Sequence, residues 1–310
     1  MSFASSVKEE ISRTDIGSIE EASPLLYAVF SSIGVVGLSS AGMQLKVSFE
    51  NRPAARCICV LLERSFGEKC GIAVKNSNLN GKKIYELTLE GREKVMGLLS
   101  SLGFEEGSIF LSHTPDKALF DDDSKRIGFL KGLFLSCGTV SHPRKNYQAE
   151  FVLQSKEFAD WVRDIMLSLG LQVKSILRKK DYVLYLKGGD NVSAMLSLLG
   201  AYTSLLEFEN VRAYKDIRNN TNRAANCELA NFTKTYGSAQ RYLEMIDLID
   251  ETVGLSSLSE TLVEAAELRR EYPESSLSEL SEISGISKSA LNHRMRKIKQ
   301  IATGIKEETR

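Results

Sequence analysis

Between Ser287 and Lys299 the chain concentrates side-chain hydrogen-bond donors: Ser287, Lys288, Ser289, Asn292, His293, Arg294, Arg296, Lys297 and Lys299, with no acid among them. Donors of this kind suit guanine O6 and N7 and the oxygens of phosphate. Helical spacing puts Lys288, Ser289, Asn292, His293 and Arg296 on one face, and Ala290, Leu291, Met295 and Ile298 on the other. Arg294, Lys297 and Lys299 fit the role of phosphate clamps. Just upstream, Leu277–Gly285 reads as a short helix with apolar spacing at Leu277, Leu280 and Ile283. Gly285 stops it, Ile286 is an apolar plug and Ser287 is a suitable N-cap for the next helix. This is a helix-turn-helix pattern, whose second helix enters the major groove. A solvated basic helix with no ligand is the plain alternative. The Gly-apolar-Ser turn at this spacing argues against it.

Other chemistry is poorly supplied. The five cysteines, Cys57, Cys59, Cys70, Cys137 and Cys227, form no CxxC pair, and His113, His142 and His293 are far apart in sequence. A disulfide framework or zinc site is not expected, and reduced thiols fit better. His293 has no second ligand three or four residues away. Neither metal nor cofactor is expected.

The elements that must position the donors emerge from charge and repetition. The 40 basic residues cancel the 40 acidic ones, so whole-chain charge selects no partner. Locally the charge separates. Val211–Arg241 holds six Lys/Arg against Asp216 and Glu228, and Tyr242–Glu282 holds eleven acids against Arg269 and Arg270. Arg218, Asn219, Asn222, Arg223, Asn226, Asn231 and Lys234 fall within the basic stretch. They read either as a phosphate path, with Arg218, Asn222, Arg223 and Lys234 as contacts, or as an inter-domain hinge whose asparagines cap helices and form turns.

The first two thirds repeat. Leu25–Gly34 parallels Phe129–Gly138, two apolar helices ending in Gly, the first preceded by Pro24 and the second by the Asp121–Ser124 turn. Gly91–Gly103 parallels Gly188–Gly200, with Val95, Leu99, Ser100 and Gly103 opposite Val192, Leu196, Ser197 and Gly200. Between these anchors lie alternating strands at Gln44–Phe49 and Gln148–Leu153, and helices near Arg52–Ser65 and Lys156–Leu169. Strand pairs follow at Gly71–Lys75 with Lys83–Leu89, and at Gln172–Arg178 with Tyr182–Lys187. The expected fold is α+β, two pseudo-symmetric αββαββα repeats and then an all-α region. The segments expected are 1–110 and 111–205 for the repeats, 206–240 for a basic Asn/Arg-rich connection, and 241–310 for the helix-turn-helix domain. Met1–Arg13 does not read as a signal peptide, because Glu9 and Glu10 precede any apolar run. Ala22–Leu45 carries no charge, but its five Ser, three Gly and one Pro favour a buried helix and strand over a membrane span.

The two Gly-ending helices resemble the LAGLIDADG motif of homing endonucleases. The match rests on Leu130, Gly132, Leu133 and Gly138 in one copy and is looser in the other, where Ala28 replaces the inner Gly. In active members of that family the penultimate position is a metal-holding acid. Here those degenerate catalytic positions are Ile33 and Cys137, a hydrocarbon and a soft thiol that suit magnesium poorly. Asp121–Asp123 is the acid cluster near a motif, but it stands at a helix start, where the helix dipole favours acids.

A degenerate two-motif scaffold with a C-terminal helix-turn-helix resembles the WhiA family of sporulation and cell-division regulators over essentially the whole chain. Ser2–Glu10, Asn219–Thr235 and Ile286–Arg294 look like that family's start, inter-domain signature and reading helix. The resemblance implies a cytoplasmic, nucleoid-associated bacterial regulator that binds promoter double-stranded DNA. It implies no nuclease activity, and the chain is expected to be no enzyme. Another transcription factor or a sigma factor is a candidate partner, and no membrane is. The alternative is an adaptor acting mainly through protein contacts of the scaffold, with the acidic stretch meeting a basic partner or restraining the reader.

Overall fold

The computed structural model describes residues 2–14, 19–39, 42–76, 81–104, 111 and 120–308, the side chains of 19–21, 39 and 308 excepted. His113 lies outside the described residues. The chain divides into two compact units, Met1–Lys215 and Asp216–Arg310.

The first unit opens with α1 (Phe3–Arg13), capped by Ser2, whose hydroxyl accepts from the Ser5 N–H. No helix is expected here from sequence, and Phe3, Val7 and Ile11 supply its buried stripe. Then come α2 (Ile19–Ile33), β1 (Val35–Ser39), β2 (Gly42–Phe49), α3 (Arg52–Phe66), β3 (Gly71–Asn76), β4 (Lys83–Glu90) and α4 (Arg92–Ser101). The second repeat is α5 (Asp123–Cys137), β5 (Gly138–Val140), β6 (Gln148–Leu153), α6 (Lys156–Ser168), β7 (Lys174–Arg178), β8 (Asp181–Lys187) and α7 (Gly189–Leu198). Two antiparallel four-stranded sheets result, in the matching orders β1-β2-β4-β3 and β5-β6-β8-β7. The fold is α+β with the expected repeat. One expectation fails: Pro24 does not precede the motif helix but lies inside α2. Apolar residues from Leu25 to Phe30 are all buried, so their packing outweighs the one backbone bond that proline forgoes.

The repeated Gly-ending segments have a local cause. Gly103 and Gly200 adopt left-handed φ values of 87° and 72°. Each lets the next N–H reach back, Phe104 to Leu99 O and Ala201 to Leu196 O. Val95, Leu99, Val192 and Leu196 are the buried anchors of those helices.

The second unit contains most of α8 (Tyr202–Thr252), whose beginning belongs to the first, and α9 (Glu260–Glu271), α10 (Leu277–Ser284) and α11 (Lys288–Glu308). Its core gathers Ile246, Ile249, Leu262, Ala265, Ala266, Met295, Ile298 and Ala302. Among the described residues no helix is long and apolar enough to cross a membrane.

Candidate nucleic-acid interface

α10 and α11 build the reader from the turn outward. Ser276 and Glu279 form a reciprocal capping box that starts α10, and Gly285 ends it at φ 70°. Ser281 donates to the Ile286 carbonyl at 2.6 Å, and the Ile286 N–H donates to Ser284 Oγ, so the turn is locked by its own serines. Ser287 accepts from the Ala290 N–H and starts α11. Leu280, Leu291, Met295 and Ile298 are fully buried and fix the rotation of α11. Ile283 departs from expectation at 49% exposed. An eight-residue helix has room for one full anchor, Leu280, and half-buried Leu277 supports it.

The buried stripe leaves Ser287, Lys288, Ser289, His293, Arg296, Lys297 and Lys299 exposed on α11, with Asn292 half-buried beside them. Arg294 is different. Its guanidinium pairs with Glu264 of α9 at 2.7 Å and is only 20% exposed, so it braces two helices rather than standing free as a clamp. The acidic stretch is thus partly consumed inside the unit, since Arg270 also pairs with Asp247 and Asp250. Arg269, read from sequence only as a counter-charge, is 2% exposed. It donates to the Tyr272 and Ser275 carbonyls and holds the α9–α10 turn. Only the fold, which brings those carbonyls back to α9, reveals that role.

Arg218, Asn222, Arg223 and Lys234 all lie on α8 and are exposed. Arg218 and Asn222 stand one turn apart, and Arg223 and Lys234 stand three turns apart on the adjoining stripe. The hinge reading is corrected here: α8 runs unbroken through Asn219–Thr235, and its asparagines make no turn.

The scaffold's motif helices α2 and α5 meet through small residues. A Cβ on Gly132 would strike the Leu25 carbonyl oxygen and sit 3.0 Å from Ala28 Cβ. At the C-terminal ends, Ser32 and Ser136 share a hydrogen bond of 2.7 Å across the pair. Beside them Ile33 and Cys137 are half-buried. Burial pushes the Cys137 thiol up to about 11, against a smaller opposing pull from Lys8. Lys8, which sequence reading missed, comes from α1, lies 6.0 Å from the Phe134 ring centroid and is held below the usual lysine range by burial. A cavity of about 620 Å³ opens here, and its one carboxylate, Glu50, is paired with Lys82 at 3.0 Å. An ammonium near a neutral thiol repels a divalent cation rather than holding one. Asp121, Asp122 and Asp123 are engaged at the start of α5, where Asp122 accepts from the Lys125 N–H and its neighbours pair with Lys125 and Arg126.

Residues 22–111 and 126–218 match the WhiA LAGLIDADG-like domain, and residues 221–302 match the WhiA C-terminal HTH domain. The chain belongs to the WhiA family. The "Probable cell division protein WhiA" of Clostridium acetobutylicum is 40% identical over 317 residues, covering 100% of both chains. Its namesake in Clostridium novyi is 40% identical over 316 residues, covering 99% of each. Among solved structures, full-length DUF199/WhiA from Thermatoga maritima superposes with a TM-score of 0.62 at 25% identity, covering 98% of both chains. The N-terminal LAGLIDADG domain of DUF199/WhiA superposes at 0.52 with 24% identity, over 64% of this chain and 90% of that one. Helix-turn-helix and LAGLIDADG-like parts therefore coexist in this WhiA chain, as its residues implied.

Proposed function

We propose that the chain is a sequence-specific transcription regulator of sporulation, cell division or chromosome segregation, nucleoid-associated in the cytoplasm, that binds promoter DNA without cutting it. The observation that carries this reading is α11. Its buried stripe holds the helix at a fixed rotation, and Lys288, Ser289, Asn292, His293 and Arg296 stand on the side away from the core. Side chains so placed can meet base edges in the major groove, and Lys297 and Lys299 can meet phosphate. Arg218, Asn222, Arg223 and Lys234 extend a phosphate path in this reading. Segment 241–310 is the reader, 206–240 the basic connection, and the repeats of 1–110 and 111–205 the platform. A second transcription factor or a sigma factor is the partner class proposed for that platform.

Charged residues on the sheets are in part paired with each other. Lys75 pairs with Glu86 and Gln44 donates to Glu90 across neighbouring strands, and Arg178 of β7 reaches across β8 to Glu150 of β6. Lys83, Lys174 and Lys187 are exposed on the same strands, so the charge there is mixed rather than uniformly basic.

The test combines genome-wide immunoprecipitation with titration of full-length protein against the recovered promoters and random DNA at fixed salt. Tighter binding to the recovered promoters, reduced toward the random-DNA level by Arg296→Ala, is the expected outcome. Equal affinity for both DNAs would sink sequence-specific regulation. Magnesium-dependent nicking of supercoiled plasmid that co-purifies with the protein would overturn the non-nuclease half.

A further inference from the structure

Two cysteines outside the interface face each other. Cys59 lies on α3 and Cys70 immediately before β3, 11 positions later, with their sulfur atoms 2.7 Å apart. The cause is local: α3 ends at Gly67, whose φ of 67° reverses the chain and returns Cys70 beside the helix it has just left. Both thiols are half-buried, so small solutes can reach them. β3, which follows Cys70, is exposed along its whole length at a sheet edge.

The two sulfurs are not equivalent. The hydrogen bond between them holds the Cys59 thiol well above its ordinary range and Cys70 below it, so Cys70 is the easier of the two to deprotonate. Cys57, two residues from Cys59, is pushed up to about 11 by burial and is a poor nucleophile. Cys227 is exposed on α8 in the other unit.

We propose that Cys59 and Cys70 are a reversible redox pair that takes a hydroperoxide as oxidant and closes into a disulfide. The Cys70 thiolate attacks the peroxide. A sulfur–oxygen bond forms, the oxygen–oxygen bond breaks, and hydroxide (or alkoxide) leaves. The Cys59 sulfur then attacks Cys70. The sulfur–sulfur bond forms, the sulfur–oxygen bond breaks, and the departing hydroxide takes the Cys59 proton as water. Two electrons pass from sulfur to peroxide, and a dithiol reductant returns them. The product ties α3 to the strand edge of the first repeat.

The experiment uses the full-length chain, reduced and then treated with stoichiometric hydrogen peroxide, with intact mass and peptide mapping as readouts. The expected result is loss of two hydrogens per chain and a linked peptide joining Cys59 to Cys70, reversed by dithiothreitol. Brief alkylation of the reduced protein should label Cys70 ahead of Cys59. Cys70→Ser should abolish the loss of hydrogens, and Cys59→Ser should convert it into a gain of oxygen on Cys70. Cys57→Ser should leave it intact. Oxygen gain without a linked peptide in the natural sequence, linkage through another cysteine, or full retention of thiols would each overturn the proposal. Should Cys59→Ser fail to fold, Cys70→Ser, which lies ahead of the exposed edge strand, decides by itself.

Discussion

Asn292 and Arg296 are on the α11 side that faces away from the core, and Leu291 and Met295 beside them are fully buried. Replacing either polar residue with Ala leaves the helix intact and should cost about 1–3 kcal/mol at a specific site while sparing random DNA. Lys299→Ala should instead weaken both DNAs alike and lower the salt slope by about one phosphate contact. Titrations at several salt concentrations separate the two outcomes. Ile33 and Cys137 pose the opposite case. The double change Ile33→Asp and Cys137→Asp brings two carboxylates into a half-buried site, with the Lys8 ammonium near Cys137. It should lower stability by several kcal/mol and still produce no magnesium-dependent nicking, since the supporting polar groups around a metal are missing. A melting curve and a plasmid assay check both halves.

Helices α2 and α5 can touch because position 132 has no side chain. Gly132→Leu would drive a branched side chain into the Leu25 carbonyl, and overpacking of this kind costs about 1–3 kcal/mol or more. A Gly132→Leu protein that melts at the natural temperature would refute the close-packed pair. At another junction, α1 caps the start of α8 within the first unit. The Glu10 carboxylate accepts from the Thr203 N–H at 2.6 Å and from the N–H and hydroxyl of Ser204. Burial alone would raise the Glu10 carboxyl, but these hydrogen bonds outweigh it and hold it below the usual range. The folded state therefore prefers the ionised form. The stabilisation is complete above the ordinary glutamate range and is lost as pH falls through that range to the folded value. Glu10→Gln should cost about 1 kcal/mol at neutral pH, the usual size of a lost cap. It should also flatten the acid limb of stability against pH, as denaturant midpoints at a series of pH values would register.

Each unit has its own apolar core, so each should survive alone. The boundary matters, however. A cut near residue 205, where the strand pattern ends in sequence, would discard Phe208, which is fully buried with Phe3 and Tyr147 against it. It would also discard Lys215, whose ammonium donates to the Pro143 carbonyl. A fragment ending at Lys215 should be monodisperse and cooperative in unfolding, whereas one ending at 205 should melt lower or aggregate. The 1–215 fragment should bind DNA at most weakly, because its surface charge is mixed. Gel shifts at low salt measure this, and affinity equal to that of the whole chain would contradict the platform reading.

Much of this was legible in the chain itself. Repeated Gly-ending segments and strand alternation reflect backbone geometry and period, which act within a few residues, and so they delivered both repeats and the α10–α11 turn. The resemblance to the LAGLIDADG motif, not period or geometry, marked Ile33 and Cys137 as positions where an acid is missing. What period and geometry could not deliver depends on partners distant in sequence. The helix at Phe3–Arg13 is held by a stripe that means nothing until a core exists to receive it. Pro24 looks like a helix start until packing of Leu25–Phe30 decides otherwise. Arg294 looks like a free clamp until α9 brings Glu264 within 2.7 Å. Lys8 beside Cys137 and Cys59 against Cys70 likewise exist only after folding. Residue type and spacing set which groups the chain carries, and tertiary packing decides which of them meet, because burial and charge pairing act through space rather than along the chain.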